Sequence, residues 1–217
     1  MSHITLVRHG QANTGARTEE EYDRLSDLGA QQAAWLGRHL EDTQQYHHRI
    51  YCGTLHRQVQ TAAAMGLEAE VVQDPRLNEL AYFDLARLAK EQHGLKIPAG
   101  REEFVLHMPQ VFAFWAEDRI DDAPERFADF ETRVQAALAE IHAGDGPALV
   151  VTSSGVIANA LRQAMELSPA GMARMALAIM NTSVHRLFPI GAQLSPVLFN
   201  AVPHLEAPDR AFAQTHL

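Results

Sequence analysis

His3-Ile4-Thr5-Leu6-Val7 is a short apolar run with β-branched residues, the composition of a buried strand, and it stops abruptly at Arg8-His9-Gly10-Gln11. A polar stretch follows through Arg24. Ser26 then reads as the N-cap of a helix over 27–40, because Leu28, Ala33, Leu36 and Leu40 recur at helical spacing behind it. A strand that breaks at a polar turn and is followed by an amphipathic helix is the first half of a parallel crossover unit.

The pattern repeats outward. Residues 50–52 suit a second strand, 55–65 a helix stopped by Gly66, and 70–72 an edge strand closed by Asp74-Pro75. Over 77–125 the pattern loosens into helical pieces at 85–93 and 102–118, broken at Pro98-Ala99-Gly100, and 80–125 reads as an insertion or lid. Residues 128–142 predict a strong helix with Phe130, Val134, Ala137, Leu138 and Ile141 on one stripe. Gly144-Asp145-Gly146-Pro147 is a turn into the clearest buried strand, 148–151. Thr152-Ser153-Ser154-Gly155 leads to a helix over 156–167, and 183–188 and 196–201 read as closing strands. The expected architecture is a single α/β domain over 1–217: a three-layer sandwich, its central sheet mostly parallel, with helices on both faces and a helical lid insertion. Ligands of such sheets collect at the carboxyl ends of strands, which singles out Arg8-His9-Gly10 and Thr152-Ser153-Ser154-Gly155.

Composition narrows the classes. With 217 residues, 47% of them hydrophobic, the chain can bury a continuous core. The lone Cys52 excludes an internal disulfide and a four-cysteine zinc site and fits a reducing compartment, so a cytoplasmic protein is expected. No apolar run approaches the roughly 20 residues that span a bilayer, and the first residues lack a basic leader pattern. Acidic residues outnumber basic ones 27 to 18, a net charge of −9, which argues against a nucleic-acid or anionic-membrane binder. Of those 18 basic residues only Lys90 and Lys96 are lysines. Arginine's planar fork suits phosphate and carboxylate, though codon usage alone also produces such a skew.

Histidine beside arginine at a strand end carries chemistry for an anion. Neutral imidazole is a nucleophile, and guanidinium offers several donors to phosphoryl oxygens. Leu6-Val7-Arg8-His9-Gly10-Gln11 resembles the opening of the histidine phosphatase superfamily, the phosphoglycerate mutase-like proteins. The resemblance continues in order through Leu25-Ser26-Asp27-Leu28-Gly29, Tyr51-Cys52-Gly53-Thr54-Leu55-His56-Arg57, Gln60-Thr61-Ala62, Leu77-Asn78-Glu79 and Asn181-Thr182-Ser183-Val184. It is weakest over 80–125. The resemblance implies that His9 takes a phosphoryl group, that Arg8 and Arg57 clamp its oxygens, and that Glu79 protonates the leaving oxygen and then activates water. Gln11, where many family members carry Glu or Gln, is expected at the substrate. The implied partner is a phosphorylated small molecule, with no cofactor and no metal. A homo-oligomer is left open.

One position departs from the pattern. The family usually carries a second histidine after the buried strand, and this chain has Ser153 there, followed by Ser154 and a retained Gly155. The chain is similar to a sub-group with Thr-Ser-Gly at this place, in which serine replaces the second catalytic histidine. Serine keeps a donor but is shorter and uncharged, and losing one preorganised donor costs on the order of 10²–10³ in rate. Ser153 is therefore expected to contact phosphate in a phosphatase of reduced activity. The alternative is a catalytically impaired protein of the same fold that binds a phosphorylated ligand or partner. A mutase-type phosphotransferase is less favoured. A serine-hydrolase elbow lacks its first glycine, since Val151 and Thr152 precede the serines. His47-His48 point apart, no His-Glu-x-x-His motif exists, and no Gly-rich phosphate loop precedes a lysine. Met172, Met175 and Met180 read as core filler. Over 80–125, Tyr82, Phe83, Arg87, Arg101, Phe104, His107, Phe112 and Trp115 suit either a packed cap or substrate recognition.

Overall fold

The opening run forms β1 (Ile4–Arg8), and all of it is buried. The computed structural model describes residues 2–191 and 193–216. After β1 come α1 (Glu19–Tyr22), α2 (Asp27–Asp42), β2 (Arg49–Cys52), α3 (His56–Ala64) and β3 (Val71–Gln73). The chain continues through α4 (Tyr82–His93), α5 (Arg101–Ala116), α6 (Phe127–Ala143), β4 (Ala148–Thr152), α7 (Ser154–Met165) and α8 (Pro169–Ala178). It closes with β5 (Val184–Ile190) and β6 (Gln193–Ala201).

The six strands form one sheet in the order β3-β2-β4-β1-β5-β6. β1, β2, β3 and β4 run parallel, and β5 and β6 continue the sheet antiparallel. Side chains of a strand alternate between faces, and the two faces build separate cores. Ile4, Leu6, Ala148 and Val150 pack with Leu85, Phe112, Phe130, Ile157 and Met172 from α4 to α8. Val7, Leu149, Val151, Ile50 and Cys52 pack with Leu36 of α2 and Ala62 of α3. The result is the expected three-layer α/β sandwich with a mostly parallel sheet. Among the described residues no helix is long and apolar enough to cross a membrane.

Local chemistry explains the element ends. Ser26 Oγ accepts from Gly29 N at 3.0 Å and starts α2, as its N-cap position predicts. Gly66 ends the α3 turn with φ 66°. Two helices escape the pattern reading, the single turn of α1 in the polar stretch and α8, which begins at Ser168, whose side chain accepts from Gly171 N, with Pro169 at the first helical position. That serine–proline start signal is visible in the sequence, but the run behind it is too uniformly small and apolar to show a stripe. Met172 is fully buried in the core beneath it, consistent with the filler reading.

The 80–125 segment divides in two. Phe112 and Trp115 belong to the core, with the Trp115 ring 5.4 Å from Phe130. Truncating Phe112 to alanine would cost about 3–5 kcal/mol. Tyr82, at the start of α4, packs against that core and bonds to His107 Nδ1 at 2.8 Å, whereas Phe83 turns to α1, its ring 6.2 Å from that of Tyr22.

Candidate active site

The central strands β1 and β4 deliver the site. Arg8 pairs with Thr152 in register, and His9 N donates to Thr152 O at 2.8 Å, so His9 and Ser153 leave neighbouring strands side by side. Gly10 permits the next step. A Cβ there would stand 2.3 Å from Gly29 O, so only glycine lets this turn lie against the first turn of α2. Gly10 N then donates to Thr61 Oγ1 at 3.0 Å, and Thr61 Oγ1 donates to Arg57 O at 2.7 Å. The loop after His9 is thus tied to the helix that carries Arg57. The Glu79 loop joins through Thr152 Oγ1, which donates to Leu77 O at 2.7 Å.

His9 is 2% exposed, and its Nδ1 lies 2.7 Å from Gly10 O. A carbonyl only accepts, so Nδ1 carries the proton and Nε2 keeps its lone pair. Burial holds the imidazole pKa well below its ordinary range; the positive charges of Arg57 and Arg8 add to the effect, against the opposing Gly10 hydrogen bond. His9 is therefore neutral at physiological pH, the state a nucleophile requires.

Two arginines flank it. Arg57 is 2% exposed, pairs through Nη1 with Asp23 Oδ1 at 3.0 Å, and lies 5.0 Å from the centre of the Tyr22 ring. Among the described residues its Nε has no partner. Arg8 donates from Nη1 to Ile179 O and, at 2.9 Å, to His216 O, and its buried Nε is also without a partner among the described residues. Arg49, Arg162 and Arg186 carry unpaired Nε groups as well. The significance of the first two therefore lies in their position beside His9. Two guanidinium groups and a neutral imidazole at one place form a receptor for a small anion.

Glu79 lies on the loop before α4 and is held at the start of α7. Its Oε2 accepts from Gly155 N at 3.0 Å, and Ser154 Oγ lies 3.5 Å away. The close fit depends on a glycine, because a Cβ on Gly155 would stand 2.2 Å from Glu79 Oε1 and displace that carboxylate. A second carboxyl, Glu19 of α1, accepts from Phe83 N at 2.9 Å. Burial raises the Glu19 pKa, partly offset by that hydrogen bond and by Arg57, while the charge of Glu79 adds to the rise.

Ser153 is fully buried, and its Oγ accepts from Gln58 Nε2 at 2.9 Å. Gln11 turns its side-chain oxygen to Ser26 Oγ at 2.8 Å, and its amide donates to Gln32 Oε1 at 2.8 Å, which fastens the loop to α2. Arg8, His9 and Arg57 thus come together, Ser153 leaves the neighbouring strand, Glu79 is bonded to Gly155 two residues beyond it, and the Gln11 side-chain oxygen accepts from the α2 cap. His185, the nearest histidine on a later strand, pairs in register with Leu6 inside the sheet. It is bonded to Ser183 Oγ at 2.9 Å and to Asn200 N at 3.2 Å. Burial, assisted by Arg8, lowers its pKa to about 3, so it is a neutral structural group. Among the described residues no group of three or more His, Cys, Asp or Glu side chains is arranged to hold a metal ion.

Sequence reasoning missed the covering segment. Asp23 caps α3 by accepting from His56 N at 2.9 Å and Arg57 N at 3.1 Å, besides pairing with the Arg57 side chain. The Tyr22 ring stands edge-on to His9 at 6.1 Å. Nothing in the polar stretch before Ser26 marks these residues, because their partners are distant in sequence. Asn181, which carries part of the family resemblance, donates from Nδ2 to His9 O at 3.2 Å and steadies the same turn.

An α/β sandwich with a buried histidine and two arginines at its central strand ends is the arrangement that the resemblance leads one to expect. The sequence model of the histidine phosphatase superfamily (branch 1) matches residues 4–201, and the chain belongs to that family. No functionally curated protein matches the chain in sequence. Among solved structures it is similar to Bacillus stearothermophilus YhfR, with 21% identity over 95% of this chain and 100% of the other and a TM-score of 0.69. A phosphoserine phosphatase variant from Entamoeba histolytica, solved with phosphoserine, shares 17% identity over 94% of this chain and 100% of its own, with a TM-score of 0.71. The mycobacterial glucosyl-3-phosphoglycerate phosphatase shares 22% identity over 92% and 98%, with a TM-score of 0.64.

Proposed function

We propose that this chain hydrolyses a small phosphate monoester through a phosphohistidine formed on His9, without a metal. The observation that carries the reading is His9 itself: buried, neutral, its Nδ1 held by Gly10 O, and flanked by Arg8 and Arg57 with unpaired Nε groups. In the first step Nε2 attacks phosphorus and the bond to the ester oxygen breaks. Glu79 gives that oxygen a proton, so the alcohol leaves neutral. In the second step Glu79 takes a proton from water, the water oxygen attacks phosphorus, and the N–P bond breaks to release phosphate. Arg8 and Arg57 balance charge on the equatorial oxygens throughout, and such positioning and charge balance supply most of the rate in phosphoryl transfer. Gln11 acts by holding its loop to α2, and Ser153 supplies a neutral donor in place of an imidazolium. The phosphatase titles among the structural neighbours support this class of substrate. A soluble cytoplasmic enzyme working as one domain over 1–217, with the 80–125 segment lending specificity, is part of the same reading.

A second reading has a specific observation behind it. The second strand end holds a serine bonded to Gln58 instead of a cation, which favours a protein that binds a phosphorylated ligand with little turnover. One experiment separates the two: p-nitrophenyl phosphate hydrolysis between about pH 5 and 8, with and without EDTA, beside His9→Ala. Turnover that survives EDTA and is lost in His9→Ala supports the hydrolase. Equal inertness of both proteins, with vanadate or phosphate still raising the melting temperature of the wild type, supports binding alone.

A further inference from the structure

Gln58 is fully buried on α3, directly after Arg57. A buried primary amide must place both protons and its oxygen. Nε2 has two acceptors, Leu77 O at 3.2 Å and Ser153 Oγ at 2.9 Å, while Oε1 faces Leu55 N at 3.4 Å. Leu77 O can only accept, so the amide orientation is settled and Gln58 is the donor to Ser153. The serine oxygen is then an acceptor, and its own proton needs another partner. Ser153 stands at the N-cap of α7, where a serine ordinarily accepts from the first turn, yet it makes no cap bond. The amide of Gly155 goes to Glu79 instead. Among the described residues the Ser153 hydroxyl proton has no acceptor, and the side chain is closed to bulk water. Its neighbour across the strand ends is His9.

We propose that Gln58 is a positioning residue that locks Ser153 as a hydroxyl donor to the phosphoryl group at His9, the two forming one neutral relay at the second strand end. The inference rests on the phosphatase reading above. It gives the unsatisfied serine proton its acceptor and explains why a serine at a cap position faces away from the helix it begins. Through Leu77 O the same amide ties the relay to the loop of Glu79, so donor and proton source share one support.

The test is a double-mutant cycle on p-nitrophenyl phosphate with Ser153→Ala and Gln58→Met, the methionine keeping the volume of Gln58 without its donor. Each single variant should lose on the order of 10–100-fold in kcat with KM little changed, and the double variant should lose no more than either alone. Ser153→Thr, which keeps the hydroxyl, should retain most of the activity. Melting temperatures of all variants establish folding, and Gln58→Glu serves as a second probe if Gln58→Met does not fold. Full kcat in Ser153→Ala, or losses that multiply in the double variant, would overturn the relay. The phosphatase reading itself fails separately, by unchanged turnover in His9→Ala.

Discussion

Replacing Gly155 with alanine tests the placement of Glu79 as the proton donor. The added Cβ would stand 2.2 Å from Glu79 Oε1 and 2.8 Å from Leu80 Cδ2, closer than real Cβ contacts allow. The carboxylate has to move, and the 3.0 Å bond from Gly155 N to Glu79 Oε2 breaks with it. A hydrogen bond to a charged group is worth about 1.5–3 kcal/mol, or roughly 10–100-fold in rate if it holds the acid in place. Positioned acid catalysis contributes about 10²–10⁴-fold, which bounds the loss from above. The loss should depend on the leaving group. p-Nitrophenolate departs without protonation, whereas the alkoxide of glycerol 2-phosphate does not. Gly155→Ala is therefore expected to lower kcat on glycerol 2-phosphate on the order of 10²-fold and on p-nitrophenyl phosphate less than about 5-fold. Alanine is also the better helix former by about 1 kcal/mol, which opposes any loss of stability. Steady-state kcat on both substrates, with a melting curve for each protein, provides the measurement. Equal losses on the two substrates, or none on either, would refute the assignment of Glu79.

Three further outcomes follow from the same geometry. Asp23→Asn leaves Arg57 without its counter-charge and weakens the α3 cap, so it should lower stability by about 1–3 kcal/mol. Phosphate should then restore more of the melting temperature in the variant than it adds to the wild type; equal shifts would contradict the site. Burial depresses the pKa values of His9, His185 and His204, the latter two to about 3. The unfolded chain binds protons below about pH 6.5 that the fold refuses, so stability should be fully present above that pH and fall as acid is added. His185 and His204 each contribute roughly 2 kcal/mol of loss between pH 7 and 5, His9 adds in the same direction, and a urea midpoint that stays flat over that interval would refute the account. Ser153→His, which would restore the imidazole expected by resemblance, meets Gln58 Nε2 already 2.9 Å from Ser153 Oγ in a fully buried place. Overpacking should cost about 1–3 kcal/mol, relieved in Gln58→Ala/Ser153→His; a single variant as stable as wild type would count against this crowding.

Much of this architecture is legible in the residues themselves. The strands at β1 and β4 show as β-branched apolar runs, and α2 and α6 as apolar stripes, because burial of one face imposes a period. The ends of those strands are where the sheet topology concentrates loops, so Arg8, His9 and Ser153 stand out without any coordinates. What is hidden depends on partners far along the chain. Asp23 and Tyr22 lie in a polar stretch that has no period, and only the packed structure sets them against Arg57 and His9. Gln58 reads as an ordinary polar position on a short helix, yet it is one of the most deeply buried polar side chains. The net charge of −9 describes the surface and is silent about the two guanidinium groups gathered at one buried histidine.

The central claim is the transfer of a phosphoryl group to His9. Rapid mixing of the enzyme with p-nitrophenyl phosphate, quenching in alkali to preserve phosphohistidine, and peptide mass spectrometry would observe it directly. The account predicts one added phosphoryl group on the peptide bearing His9, absent in His9→Ala and lost on brief acid treatment. An unmodified His9 peptide during active turnover, with His9→Ala still hydrolysing the substrate, would contradict it.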